Sequence, residues 1–124
     1  MRPALIALVL SAGLPIASLA ADDPAETACH QRESTVDISD CLQRLTTQWD
    51  KRLNAAYQAT VKASENEAQK DALLRAERAW LAYRTANCGW YDTHEGTIRE
   101  IYVADCMLDM TRARALELEA SLKP

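Results

Sequence analysis

Glycine and proline are scarce in this sequence of 124 residues: Gly occurs only at Gly13, Gly89 and Gly96, and Pro only at Pro3, Pro15, Pro24 and Pro124. Between Ala25 and Lys123 there is no proline and there are only two glycines. A β-sandwich, a barrel or a βαβ fold of this size needs many tight turns, and such turns draw heavily on Gly and Pro. The shortage argues against all three and for an all-α chain with few connections. Positive charge is not in excess either, since 14 Lys plus Arg stand against 18 Asp plus Glu, a formal net charge of −4. That balance argues against a sequence-independent nucleic-acid binder. It favours a basic partner through steering.

A membrane-spanning run is missing too. The apolar stretch from Ala4 to Leu14 (ALIALVLSAGL) is shorter than the roughly 20 residues that cross a bilayer. It follows the positive Met1-Arg2 and precedes Ser18-Leu19-Ala20, with small residues at the −3 and −1 sites, so residues 1–20 read as a signal peptide cleaved after Ala20. Cleavage leaves one domain, residues 21–124, with 13 basic against 18 acidic residues, a net charge of −5. No cysteine beside the cleavage site can carry a lipid, so the expected location is periplasmic or secreted, without a membrane anchor. The four cysteines, Cys29, Cys41, Cys88 and Cys106, are separated by 12, 47 and 18 residues. They form no C-x-x-C or C-x-x-C-H pattern for zinc, haem or redox chemistry. An even number in a small exported chain reads as two structural disulfides.

The sequence is rich in helical periodicity. Leu42, Leu45, Trp49, Leu53, Ala56 and Thr60 form one stripe, and Leu73, Leu74, Trp80, Leu81 and Cys88 a second. A third repeats every seven residues at Ile101, Leu108, Ala115 and Leu122, with Ala104, Thr111 and Leu118 between. These patterns predict a disulfide-stapled antiparallel bundle of three long helices, about 35–63, 65–91 and 98–121. The first opens near Ser34 or Thr35, with Asp37 in its first turn. Capping boxes at Ser64-Glu65-Asn66-Glu67 and Thr97-Ile98-Arg99-Glu100 open the others. Gly89 and Gly96 flank the last connection, and Ala21 to Thr27 reads as disordered. Tyr102, Val103, Cys106 and Met110 form a further patch on the third helix, for which the segment around Cys29 is the expected cover.

If the first two helices turn near Ser64 and Glu65, residues at equal height have numbers summing to about 129, as Cys41 and Cys88 do. A second turn near Glu95 sets Cys106 about 6 Å along the axis from Cys41. Two pairings then satisfy height, Cys41–Cys88 with Cys29–Cys106 or Cys29–Cys88 with Cys41–Cys106, and the first is preferred because Cys106 lies on the further patch. Height also places Asn54 opposite Arg75, Asp50 near Arg78, and Arg84 level with Asp105 and Asp109. These polar residues are expected to form a satisfied network that fixes helix register.

Catalytic signatures are missing as well. There is no G-x-S-x-G elbow, P-loop, H-E-x-x-H or E-x-x-H pair. His30 stands in no recognised spacing. His94, in Asp92-Thr93-His94-Glu95, has neighbours that can ligate a metal but no second ligand cluster. The expectation is therefore a protein that is not an enzyme and needs no cofactor or metal. Trp49 and Trp80 fall on the stripes and are expected in the core. Trp90 and Tyr91 are adjacent and cannot both face inward, which makes that end, with Asp92, His94 and Glu95, the candidate contact surface.

The blocks Asp50-x-x-Leu53-Asn54-x-x-Tyr57 and Leu74-Arg75-x-x-Arg78-x-Trp80-x-x-Tyr83-Arg84-x-x-x-Cys88, the four cysteines and the closing Thr111-Arg112-x-Arg114-x-x-x-Leu118 resemble the LprI-like family of exported proteins. That family is named for a mycobacterial lysozyme-inhibitor lipoprotein, and the similarity runs from about Cys29 to Leu118. Glu77 stands where the family usually has Gln, and Thr85 where it often has Asp; the former bears on the pairing around Arg78. The resemblance implies an inhibitor that occludes the cleft in which lysozyme's two carboxylates cleave peptidoglycan. An acidic protein suits a cationic lysozyme. The alternative is a non-catalytic envelope module for another protein or a cell-wall component.

Overall fold

The computed structural model describes residues 23–123. The expected signal peptide and its cleavage site lie outside the described residues. Four helices follow in order, α1 (Pro24–His30), α2 (Thr35–Ala63), α3 (Glu67–Tyr91) and α4 (Ile98–Ser121), and among the described residues there is no strand. The bundle is all-α and carries two disulfides. α1 forms where disorder was expected over Ala25–Thr27: Pro24 occupies its first turn, and the Asp23 side chain accepts from the Ala25 N–H. Both features favour a helix start.

The caps refine the other boundaries. Ser34 Oγ accepts from the Asp37 N–H at 3.1 Å, as expected for the start of α2. Ser64 instead closes α2, donating to the Thr60 carbonyl, and Asn66 caps α3 by accepting from the Gln69 N–H. Thr97 is helical in backbone and makes no side-chain cap. α3 runs through Gly89, while Gly96 takes φ +76°, the left-handed conformation that glycine adopts without a Cβ penalty.

The core is a seam between α2 and α4, which run parallel. Leu42, Leu53 and Ala56 of α2 bury against the register Ile101, Ala104, Leu108, Thr111, Ala115 and Leu118 of α4. Alanine and threonine at four of these positions let the helices approach closely, and the third stripe therefore behaves as read, except that Leu122 lies past the helix end and is exposed. α3 differs from expectation. Of its stripe only Cys88 is buried, whereas Leu74 and Leu81 are exposed and Leu73 and Trp80 half-buried. Once α2 and α4 close on each other, α3 stands farther out and is held by long side chains.

The disulfides join Cys29 to Cys41 and Cys88 to Cys106, with Cα–Cα distances of 5.4 and 5.5 Å, so neither expected pairing holds. The chain folds back at residues 31–34 and lays α1 beside the start of α2, a connection the height rule did not contain. The α3–α4 hairpin turns about residue 97 rather than 95, which brings Cys88 level with Cys106. Cys41 and Cys88 are not level, because the Asp50–Arg84 contact sets the α2–α3 turn centre near residue 67. α3, and not the Cys29 segment, covers the further patch on α4: the Asn87 side chain reaches Cys106 Sγ at 3.5 Å and Met110 Sδ at 3.4 Å. Cys29 packs instead with Leu42, Ile101, Ala104 and Leu108.

Candidate functional site

The α3–α4 end gathers four rings. Trp90 lies edge-on to Tyr91 and to His94, with centroids 4.9 and 5.1 Å apart, and His94 stacks on Tyr91 at 6.0 Å. Tyr102, from the first turns of α4, meets His94 at 5.7 Å. Trp90 is 60 % exposed and Tyr91 half-buried, so one of the adjacent pair faces out, as expected. His94 Nδ1 lies 3.0 Å from the Tyr91 carbonyl, which can only accept, so that nitrogen is the donor. Asp92 pairs with Arg99 at 3.3 Å, and Glu95 is exposed. Tyr102 joins this cluster only because the 92–97 connection folds its first turn back under His94, which spacing along one helix does not reveal.

Beside the rings, a cavity of about 750 Å³ opens between α2, α3 and α4. Val36, Val103 and Met107 supply apolar wall; Asp40, Asp92 and Glu100 line it, and no Lys or Arg does. An aromatic knob beside an acidic, partly apolar hollow is a surface that can seat a basic protein projection.

The polar residues expected at the helix interfaces divide. Arg84 donates to Asp50 at 3.1 Å and to Thr111 Oγ1 at 2.8 Å, and lies 4.9 Å over the Trp80 ring. It therefore ties α3 to α2 and α4, but through Thr111 and not Asp105 or Asp109. The α2–α3 register turns about residue 67 and not between 64 and 65, which moves Asp50 from Arg78 to Arg84. Asn54, Arg75 and Arg78 are exposed, and among the described residues neither arginine forms an ion pair. Asn54 and Arg78 line, with Tyr57, Glu77 and Trp80, a second cleft of about 510 Å³ between α2 and α3. Trp80 is thus a wall of that cleft rather than core, whereas Trp49 packs against the core as expected. Glu77 pairs with Arg114 of α4 and not around Arg78: Oε2 accepts from Nε at 3.0 Å and from a terminal nitrogen at 2.9 Å. Thr85 donates to the Leu81 carbonyl.

A further cluster, unsignalled by spacing, docks α1 onto α4. His30 Nε2 lies 3.0 Å from Asp105 Oδ1, Arg112 donates to Glu26 at 2.8 Å and also pairs with Asp109, and Glu26, His30 and Asp105 bring one ligating atom each within 4.8 Å. Three such groups are of the types that hold a divalent cation, but Glu26 is already occupied by Arg112. Burial pushes the Asp105 carboxyl above its ordinary range, and the His30 ring pulls it part of the way back. A carboxyl raised on folding binds its proton more tightly in the native state, so its contribution to stability is fully present below the ordinary carboxyl value and is lost as pH rises from there through the raised one. Asp105→Asn is therefore expected to melt at or above the wild-type temperature at pH 7, with the gap closing as pH falls into the carboxyl range. A lower melting temperature at pH 7 would show that the His30 contact outweighs burial.

No described helix is long and apolar enough to cross a membrane. The two disulfides suit an oxidising compartment outside the cytoplasm. No solved structure matches the chain. An uncharacterized protein of Rhizobium meliloti (strain 1021) is 26 % identical, with 76 % of this chain and 78 % of that protein aligned. Residues 26–118 match the family described as Lysozyme inhibitor LprI, a span that takes in all four cysteines, both clefts' helices and the aromatic end. The chain belongs to the LprI lysozyme-inhibitor family.

Proposed function

We propose that this protein is exported to the periplasm or beyond by a signal peptide cleaved after Ala20, and that it binds a lysozyme and occludes its active-site cleft without catalysing a reaction. Family membership supports the target, and the observation that carries the contact surface is the exposed Trp90 set on Tyr91 and His94, with Tyr102 against His94, beside Asp40, Asp92 and Glu100. A ring held edge-on by two others loses little freedom on binding, which suits it as an anchor. The carboxylates, Asp40 and Glu100 above all since Asp92 is paired with Arg99, steer a cationic enzyme towards this end.

The test is a cell-wall lysis assay with several lysozyme classes, joined to binding measurements at low and moderate salt. Saturable inhibition that weakens with salt is expected. Trp90→Ala is expected to weaken binding by about thirtyfold or more, the loss typical of a central aromatic anchor. Absence of binding to every class at micromolar concentration would overturn the reading, and full binding by the Trp90 variant would move the contact to another face.

A further inference from the structure

The cleft between α2 and α3 combines three features that packing alone does not explain. Glu77 is 7 % exposed, and with Oε2 committed to Arg114 on the α4 side, Oε1 is buried without a hydrogen-bond partner. A buried acceptor left unpaired is costly, and natural structures supply such atoms with a partner. Arg78, in the next position, is exposed and has no ion-pair partner among the described residues. Tyr57 and Trp80 are half-buried lining residues, with Leu74 one turn before Glu77 and Leu81 one turn after it. The volume of about 510 Å³ lies within the range of small-ligand sites.

The charges specify the ligand further. Asp50 is matched by Arg84 and Glu77 by Arg114, so the cleft is left with the single positive charge of Arg78. Both walls are helix interior, whose backbone groups are bonded within their own helices, so an extended peptide finds no strand-like edge to pair with. What the cleft offers is aromatic and aliphatic surface, one buried acceptor, the Asn54 amide and one guanidinium. A sugar ring has an apolar C–H face for aromatic surface and hydroxyls for the acceptor and the amide. A carboxylate on that sugar matches Arg78. We infer that the α2–α3 cleft binds a short saccharide bearing one carboxylate, with a hydroxyl donating to Glu77 Oε1, the ring against Tyr57 and Trp80, and the carboxylate on Arg78.

Carboxylated sugars come from two sources, muramic acid units and uronic acids, and the experiment separates them. The uniformly 15N-labelled protein is titrated with N-acetylglucosaminyl-N-acetylmuramic acid, with digalacturonic acid and with neutral chitobiose, and amide and indole shifts are followed. Saturable shifts at Asn54, Arg78 and the Trp80 indole with either acidic probe are expected, the tighter one naming the source. Chitobiose is expected to bind at least about tenfold more weakly. Arg78→Gln, at an exposed position, is expected to reduce the acidic probe to the chitobiose level while the rest of the spectrum is unchanged. Asn54→Ala, also exposed, is expected to weaken the acidic and neutral probes alike. No saturation by either acid up to about 10 mM, equal binding of chitobiose, an undiminished Arg78→Gln variant, or shifts centred on Trp90 and His94 would each overturn the inference. Lysozyme takes no part in this test, so it stands or falls apart from inhibition.

Discussion

Arg114→Ala is expected to lower folding stability by about 3–5 kcal/mol, the cost of leaving one member of a buried ion pair without the other. The side chains of Arg114 and Glu77 are 11 % and 10 % exposed, and the guanidinium places two donors on one carboxylate oxygen. Burial works against the charge of Arg114, and the hydrogen bonds it donates to Glu117 and Glu77 more than offset it. Removing the arginine leaves Glu77 nine-tenths buried with neither oxygen paired. The effect should concentrate in α3, because this pair is one of few ties between that helix and the seam. Denaturant unfolding of the variant measures the loss, and amide exchange locates it. A double variant, Glu77→Leu with Arg114→Met, should lose much less than Arg114→Ala, since an apolar pair of similar volume carries no stranded charge. Equal losses in the two variants would mean that packing volume, and not pairing, holds α3 here.

The shortage of glycine and proline was enough to define an all-α chain, and the seven-residue spacing on α4 was enough to define its buried face. Those signals are local, repeated over many turns, and little affected by what lies opposite. Relations between helices were much less legible. Errors of about two residues in the turn centres moved Arg84 from Asp105 and Asp109 to Thr111 and Asp50 from Arg78 to Arg84, and left Cys88 level with Cys106 instead of with Cys41. A helix advances 1.5 Å and 100° per residue, and an error of two residues in a turn centre moves the level partner by four residues, about 6 Å and about one full turn. Height was therefore recoverable only to within about one turn, which is enough to change which residues meet. The α2–α3 cleft was invisible for a related reason. Apolar periodicity says that Leu74, Trp80 and Leu81 share a face, and not how far away the neighbouring helix stands. The aromatic end was legible in Trp90 and Tyr91 because adjacent residues cannot both point inward, but Tyr102 entered it from another helix.

Reduction of the two disulfides is expected to have unequal consequences, although loop entropy treats them almost alike. Separations of 12 and 18 residues give each bridge about 3 kcal/mol through restriction of the unfolded chain. The difference comes from what each bridge holds in the native state. Cys29–Cys41 ties a helix of seven residues that is also docked by Arg112–Glu26 and His30–Asp105, so its loss frees one end of the molecule while the α2–α4 seam persists. Cys88–Cys106 ties all of α3, whose buried residues are only Cys88 and Glu77, at the end where the aromatic cluster is built. Replacing both Cys88 and Cys106 by serine should therefore lower Tm by about 12–24 °C, at about 4–8 °C per kcal/mol for a domain of this size. It should also loosen the Trp90–Tyr91–His94 cluster before global unfolding, visible as lost near-ultraviolet dichroism and faster amide exchange over α3. The matching Cys29 and Cys41 double variant should keep that signal and speed exchange chiefly in α1. If both pairs of substitutions disturb α3 equally, α1 is part of the same cooperative unit and the seam does not stand alone.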